Sequence, residues 1–232
     1  MPPDGAPSQT LSRGIRILEL LADAREPLTT DDVATRLGVH RSIAYRLVRT
    51  LEHHGLVVRD RDRGVVLGAR MAALAAGVAH HLQAEALPEL TAVANELGMT
   101  CFLAVLDHDE CVTLVSVEPR HAAAPVAQRP GTRHPVTAGA PGKAILTLLP
   151  EAEWPAATAA MRATVADAAR RGYATSHDEV IPGLESVAVP LPLRGRGPAA
   201  VAVVHVTSAI EHAGIAARLQ RSARAIRTAL EG

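Results

Sequence analysis

The apolar and polar positions of residues 40–54 separate into two faces when the segment is wound as a helix of about 100° per residue. One face is wholly apolar and consists of Ile43, Ala44, Leu47, Val48 and Leu51. The other face bears arginines, a tyrosine and a hydroxyl, namely Arg41, Ser42, Tyr45, Arg46 and Arg49. The apolar face predicts packing against a core. Because guanidinium groups suit phosphates and guanine edges, we expect the polar face to lie in a DNA major groove.

Helical periodicity also marks the residues before this segment. Residues 9–24 repeat apolar positions at helical spacing, and these are Leu11, Ile15, Leu18 and Leu21. A second helix is predicted to begin at Thr29 or Thr30, because either hydroxyl can cap it. Gly38 and Gly55 are expected to end the second and third helices.

A basic hairpin is predicted directly after the third helix. Two short β-branched runs, LVVRD and VVLG, lie on either side of the charged turn RDRG, which is the pattern of a hairpin. Three helices and a basic hairpin form a winged helix-turn-helix, which we assign to residues 11–68, behind a flexible arm of residues 1–10. Arg59, Arg61 and Arg63 are then expected to approach the DNA backbone.

The alanine-rich residues 69–97 predict helix with an interruption at Pro88. We assign residues 69–82 to a linker helix and residues 83–232 to a second domain. The apolar stripe of this region can serve as a dimer contact or can pack on its own domain, and the sequence leaves both alternatives open.

At Thr100 the hydrophobic period changes to that of strands. CFLAVLD and CVTLVSVE predict a hairpin around a two-residue turn at residues 108–109, and a third strand is predicted within residues 122–131. A second hairpin is expected to pair residues 183–193 with residues 198–206. Helical patterns lie between and after these strands. They predict an α+β domain in which helices surround an antiparallel sheet.

Composition narrows the class of protein. Apolar residues make up 48% of the 232 residues and charged residues 21%, as in an ordinary soluble protein. The longest apolar runs are far shorter than the ~20 residues that cross a bilayer, and the N-terminus has no signal pattern, so a cytoplasmic protein without membrane contact is expected. Net charge is zero, but residues 1–70 carry 11 arginines against 9 acids.

Cysteine and histidine spacing predicts neither a disulfide nor a metal site. Hairpin pairing places Cys101 opposite Ser116 and Cys111 opposite Leu106, so the two cysteines are not neighbours across the hairpin and no disulfide is expected. Both are therefore expected to be buried, reduced thiols. Adjacent histidines on a helix point apart, and no spacing among the other histidines indicates shared coordination. We therefore expect no metal, cofactor or catalytic residue.

Four segments resemble the IclR family of bacterial transcription regulators, in the family's order. They are SRGIRILELL (12–21), RSIAYRLVRTLEHHGLV (41–57), HPVTAGAPGKAIL (134–146) and RGYATSHDEVIPGLESVAVPL (171–191). The resemblance covers nearly the whole chain. It implies an N-terminal domain that binds double-stranded operator DNA as a homodimer, with further assembly into a dimer of dimers. It also implies a GAF-like C-terminal domain that binds a small metabolite, often an organic acid.

The segment GAPGKA (139–144) has small residues at a predicted helix N-terminus, where free backbone N–H groups and the helix dipole favour an anion. The segment lacks the spacing and the hydroxyl of a nucleotide-binding loop. A tight turn needs small residues too, but the resemblance favours an effector site. Lys143 can point at the pocket or brace the fold. The expected contacts in this loop are Thr137, Gly139, Ala140, Pro141 and Gly142.

Ser176, Glu179 and Ser186 match positions where family members place polar effector contacts. This sequence departs from the common pattern there, since serines replace an acid at 176 and a cysteine at 186, and Ile181 replaces a further acid. The family's effector identity therefore does not carry over. A carboxylate is the expected ligand class, because the helix N-terminus favours an anion.

The sequence is therefore interpreted as a ligand-responsive repressor of a metabolic or catabolic operon, without catalytic activity. Two alternatives stay open. The first is a hydrolase-like enzyme with a DNA-binding appendage that uses Ser186, His177 and Asp178, although no nucleophile-elbow pattern is present. The second is a regulator whose C-terminal domain only oligomerises.

Overall fold

The computed structural model describes residues 8–60, 64–121, 126–155, 158–195, 197–207 and 210–231. The chain divides into two compact units, Met1–Val78 and Ala79–Gly232. The first unit contains α1 (Gln9–Asp23), α2 (Thr30–Leu37), α3 (Arg41–His53), β1 (Val57–Arg59), β2 (Val65–Leu67) and α4 (Arg70–Ala75). β1 and β2 pair antiparallel, as the winged helix-turn-helix prediction requires.

The second helix begins where the sequence indicates. The Thr29 hydroxyl accepts from the Asp32 backbone N–H, and the Asp32 carboxylate accepts from the Thr29 backbone N–H, which makes a complete capping box. Gly38 ends α2 in the left-handed conformation. The α2–α3 turn that these ends define presents α3 at a fixed angle to α2.

The predicted helix is present as α1, but its apolar positions at helical spacing are only partly buried, with Leu18 packed against the core. Gly14, Ile17 and Leu21 are buried, whereas Leu11 is 64% exposed and Ile15 is 48% exposed. Both sides of this helix hold apolar residues, so periodicity alone could not choose the face that packs. The helix begins at Gln9, inside the predicted flexible arm, and residues 1–7 lie outside the described residues.

The alanine-rich region forms two helices instead of one helix broken at Pro88. α4 ends at Ala75, and α5 (His80–Leu97) begins after Ala79, which has a positive φ of 46°. Pro88 is exposed inside α5. Because proline has no backbone N–H, the helix lacks one hydrogen-bond donor there, but it continues to Leu97. The unit boundary between Val78 and Ala79 therefore falls within the predicted linker.

The second unit is built on a six-stranded antiparallel sheet in the order β5-β4-β3-β8-β7-β6. Its strands are β3 (Thr100–Asp107), β4 (Glu110–Val117), β5 (Arg133–Pro135), β6 (Ala174–His177), β7 (Leu184–Leu191) and β8 (Ala199–Val206). Side chains of α5 and α8 (His212–Glu231) form a core with one face of the sheet. Side chains of α6 (Gly139–Leu146) and α7 (Ala159–Arg171) form a core with the other face. This arrangement confirms the α+β prediction.

Two details of the predicted sheet differ in the described residues. Of the strand predicted within residues 122–131, residues 126–131 form no strand and residues 122–125 lie outside the described residues, and the next strand along the described chain is β5 at residues 133–135. A bulge between Leu103 and Ala104 shifts the hairpin register, so Cys101 lies opposite Val117 instead of Ser116. Cys111 lies opposite Leu106 as predicted.

Both cysteines are free and buried, as predicted. Burial raises the pKa of the Cys111 thiol to about 12 and raises the pKa of Cys101 as well. Among the described residues, no helix combines the length and apolar character needed to cross a membrane.

Candidate functional site

The third helix of the first unit presents the two faces that its sequence predicts. Ala44, Val48 and Leu51 are buried in the core of this unit. The polar residues all lie on the exposed side, and these are Arg41, Ser42, Tyr45, Arg46 and Arg49. His40 caps the helix through Nδ1, which accepts from the Ser42 backbone N–H. The cap fixes the first turn of α3, where base-contacting residues of a recognition helix lie.

Two of the predicted DNA-binding arginines hold acidic partners in the free protein. Arg41 Nε lies 2.9 Å from Asp31 Oδ1 of α2, and both side chains are exposed. Arg59 Nε donates to Glu52 Oε2 at 3.3 Å. Exposed pairs of this kind contribute little to stability. Arg61 and Arg63 of the wing lie outside the described residues.

A carboxylate of the chain itself lies at the N-terminus of α6. Ala138 at the N-cap position provides no side-chain acceptor. Instead the backbone N–H of Gly139 donates to Glu179 Oε2 at 2.9 Å, where the helix dipole favours negative charge. The ammonium of Lys143 donates to Glu179 Oε1 and, at 2.9 Å, to the carbonyl of Thr175. The Lys143 side chain is 6% exposed and the Glu179 side chain is 35% exposed, so the ion pair has a buried cation and a partly exposed carboxylate.

Gly139 and Gly142 of α6 are required for different structural reasons. A Cβ on Gly142 would lie 2.1 Å from the Val136 carbonyl oxygen, so this position needs glycine for packing. Gly139 has a φ of +76°, and a Cβ there would lie 3.1 Å from Val180 Cγ2. The helix begins at Gly139, so these small residues form its first turn.

A small cavity of about 60 Å³ opens beside this turn. Five of the predicted effector contacts line it, namely Gly139, Pro141, Ser176, Glu179 and Ser186. Thr137, Ala140 and Gly142 lie outside the lining: Ala140 and Gly142 are buried in the packing of α6, and Thr137 is partly buried. The position of Ile181, identified in the sequence as a departure from the family's polar contacts, also lies in the lining. The lining residues not named as expected contacts are Phe102, Gln128, Thr132, His134, Val180, Leu184, Glu185 and Val204.

Some of the missed residues had a usable signal. Phe102 and Val204 belong to the sheet face that carries Ser186, because Phe102 opposes Ala202 and Ser186 opposes Val204 in neighbouring strands. Strand alternation could therefore have placed them. Gln128 lies outside helices and strands, and no periodic pattern could have placed it.

Ser186 and His177 are not arranged as a nucleophile and its base. The Ser186 hydroxyl donates to the Val203 carbonyl at 2.8 Å. The ring of His177 instead faces Glu185 at 3.0 Å through Nδ1 and Asp178 at 3.0 Å through Nε2. The register pairs Ser176–Ser186 and His177–Glu185 are adjacent along β6 and β7. Because successive residues of a strand point to opposite faces, the side chains of Ser186 and His177 lie on opposite faces of the sheet.

A winged helix-turn-helix with an arginine-rich third helix, followed by an α+β unit with a pocket, is the architecture of a DNA-binding transcription regulator. The IclR helix-turn-helix domain family matches residues 10–61, and the bacterial transcriptional regulator IclR C-terminal family matches residues 75–228. The chain belongs to the IclR family.

Relatives match over nearly the full length. The chain is 29% identical to the HTH-type transcriptional regulator XynR of Escherichia coli (strain K12), over 96% of this chain and 97% of XynR. It is 32% identical to the glycerol operon regulatory protein of Streptomyces griseus, over 88% and 85% of the two chains. An IclR homolog of Microbacterium hydrocarbonoxydans, solved in complex with 4-hydroxybenzoate, superposes with a TM-score of 0.81 at 28% identity, over 96% and 99% of the chains.

Proposed function

We propose that this regulator is a repressor of a metabolic or catabolic operon whose operator affinity is modulated by a small organic acid. The observation that carries the proposal is the position of the Glu179 carboxylate at the N-terminus of α6. Gly139 N–H and the Lys143 ammonium already bind a carboxylate there. A site that satisfies the chain's own carboxylate can satisfy that of a ligand.

The proposed effector displaces Glu179. A ligand carboxylate would accept from Gly139 N–H and pair with Lys143, and its body would fill the cavity against Phe102 and Leu184. The 4-hydroxybenzoate bound by the Microbacterium homolog is itself a carboxylate, which supports this ligand class. Release of Glu179 would favour a second arrangement of the segment that follows β6, and the effector would shift the population toward that arrangement.

On the DNA side, the proposed roles differ along α3. Arg41, Ser42 and Tyr45 lie in its N-terminal half and are proposed to contact base edges, since this half of a recognition helix enters the groove. The remaining basic residues are proposed to contact phosphates, and they are Arg46, Arg49, Arg59, Arg61 and Arg63. Phosphate contacts set affinity and its salt dependence, not sequence preference.

A homodimer, with further assembly into a dimer of dimers, is proposed from exposed apolar side chains of the first unit. Leu11 and Ile15 project from α1 one turn apart, and Leu74 is similarly exposed. Burial of such residues in a dimer removes apolar area from water. A dimer would also place two recognition helices against two operator half-sites.

Cytoplasmic location and the lack of catalytic activity are part of the same proposal. Support for the second comes from Ser186, whose hydroxyl is committed to a backbone carbonyl. The two alternatives are thereby distinguishable: an enzyme would turn over an ester or amide substrate, and a domain that only oligomerises would bind no acid.

The proposal is tested by titrating the full chain with the intergenic DNA upstream of its own gene and with shuffled DNA, at two salt concentrations. We expect a higher affinity for the upstream DNA than for the shuffled DNA at both salt concentrations. A panel of organic acids is then screened by thermal shift, and the acids that raise the melting temperature are added to the DNA titration. Equal affinity for both DNAs would refute operator binding, and a panel without effect on either readout would refute effector control.

A further inference from the structure

Three metal-ligating side chains meet where β7, β8 and α8 approach one another. Glu185 of β7 and His205 of β8 are register partners, and His212 is the first residue of α8. Glu185 Oε2 lies 3.6 Å from His212 Nε2 and 4.0 Å from His205 Nε2. One donor atom from each residue falls within 4.8 Å of the other two.

Two of these donor atoms are buried without a hydrogen-bond partner. They are His205 Nε2 and Glu185 Oε2, and the His205 side chain is 7% exposed. His205 Nδ1 donates to the Val206 carbonyl at 2.9 Å, so in the neutral ring Nε2 offers a lone pair. Two electron-pair donors that face each other in a buried space need a proton or a cation between them.

The surrounding contacts orient the donors as a metal site requires. Ligating histidines commonly donate their second ring nitrogen to a backbone carbonyl, as His205 does here. The other oxygen of the Glu185 carboxylate, Oε1, is held at 3.0 Å by Nδ1 of His177. The carboxylate therefore presents Oε2 toward the two histidines.

We propose that Glu185, His205 and His212 bind a divalent transition-metal ion of the zinc type. Two imidazoles and one carboxylate suit zinc, and three protein donors leave a fourth position for water or an external ligand. Zinc bonds of about 2.0–2.1 Å place tetrahedral donors roughly 3.4 Å apart. The two histidine–carboxylate separations of 3.6 and 4.0 Å exceed this value only slightly, so small side-chain rotations would bring the donors to a zinc ion.

The site shares Glu185 with the lining of the effector pocket, whereas His205 and His212 do not line that pocket. Strand alternation places Glu185 and His205 on the sheet face that packs against α5 and α8, together with Val187 and Val203. Ser186 belongs to the opposite face, where it lines the pocket. The metal would join the ends of β7 and β8 to the start of α8.

The test uses untagged full-length protein that has been stripped with a chelator and dialysed. Zinc chloride is titrated by calorimetry, and cobalt chloride is titrated by visible absorption. We expect one ion per chain and the intense cobalt absorption of a four-coordinate site. Bound zinc should also raise the melting temperature, because it binds only the folded chain.

Two variants test the site while leaving the buried His205 unchanged. His212→Ala places a good helix former at the start of α8, and Glu185→Gln keeps the size of the side chain. Each should weaken zinc binding by at least about tenfold, and His108→Ala, at an exposed turn beside Asp107, should not. No binding to the native chain, or equal binding by the native chain and both variants, would overturn the proposal.

Discussion

The Glu179 carboxylate accepts a 2.9 Å hydrogen bond from the backbone N–H of Gly139, forty residues away along the chain. This contact gives α6 the cap that Ala138 cannot provide. It also fills the position in which a helix N-terminus binds an anion. Glu179 and an acidic effector are therefore expected to compete for one binding position.

Glu179→Gln should tighten the binding of organic acids. The amide keeps the size of the side chain but leaves the Lys143 ammonium without a charged partner. A charge-assisted hydrogen bond contributes about 1.5–3 kcal/mol, so the affinity for the most stabilising acid of the panel should rise roughly tenfold or more. Calorimetric titration measures the change.

Glu118→Gln is the matched control, since Glu118 is exposed at the end of β4. Its affinity for the acid should equal that of the native chain. Unchanged or weakened binding by Glu179→Gln would show that Glu179 does not occupy the ligand's position.

Lys143→Met should destabilise the second unit. The ammonium is buried and donates to Thr175 and Glu179, so the substitution removes a donor from the Thr175 carbonyl and the cationic partner from Glu179 Oε1. The expected loss is about 1–3 kcal/mol in the free energy of unfolding, measured with urea. The double variant Lys143→Met/Glu179→Gln should lose less than the sum of the two single variants. Additive losses would contradict a direct interaction.

Gly142→Ala should disrupt the start of α6. The added methyl would lie 2.1 Å from the Val136 carbonyl oxygen, and a backbone atom cannot move aside as a side chain can. A loss of about 3 kcal/mol or more is expected from forced overpacking. Gly214→Ala in α8 meets no atom within 4 Å and should leave the stability unchanged or raise it by up to about 1 kcal/mol. Similar melting temperatures for the two variants would contradict the geometry.

The stability of the first unit should fall in acid through Asp32. Hydrogen bonds from the hydroxyl and then the backbone N–H of Thr29 lower the pKa of Asp32 below 3.8. A lowered pKa in the folded state means that stabilisation is present above the unfolded value and is lost as pH falls through the folded value. Asp32→Asn should therefore melt lower than the native chain near pH 6, and this difference in melting temperature should shrink as the pH falls below 3.8. In a Thr29→Ala background the difference near pH 6 should shrink, and a difference independent of pH would contradict the capping box.

Local chemistry made some parts of this structure predictable. The hydroxyl of Thr29 and the positions of Gly38 and Gly55 determined the ends of α2 and α3, and the single apolar stripe of α3 left one face for the core. The Leu106–Cys111 pairing followed from the two-residue turn, but the bulge at Leu103 lies beyond the reach of turn chemistry.

The candidate site was less predictable because its central contact is distant in sequence. The small residues 139–142 and Glu179 were both expected at the pocket, but no local pattern pairs Glu179 with Gly139. The choice between packing and ligand access for Gly142 depends on the Val136 carbonyl. The face of α1 that packs was likewise decided by its neighbours, because apolar residues lie on both sides of that helix.

The central claim is that α3 reads operator sequence with its N-terminal half, and one comparison tests it directly. The affinities of native chain, Arg41→Ala and Arg49→Ala are measured on upstream intergenic DNA and on shuffled DNA across a salt series. Arg41→Ala should lose about 1–3 kcal/mol on the upstream DNA only, whereas Arg49→Ala should weaken both DNAs and lower the salt slope by about 1. Equal losses on both DNAs for Arg41→Ala, or no loss for either variant, would contradict the account.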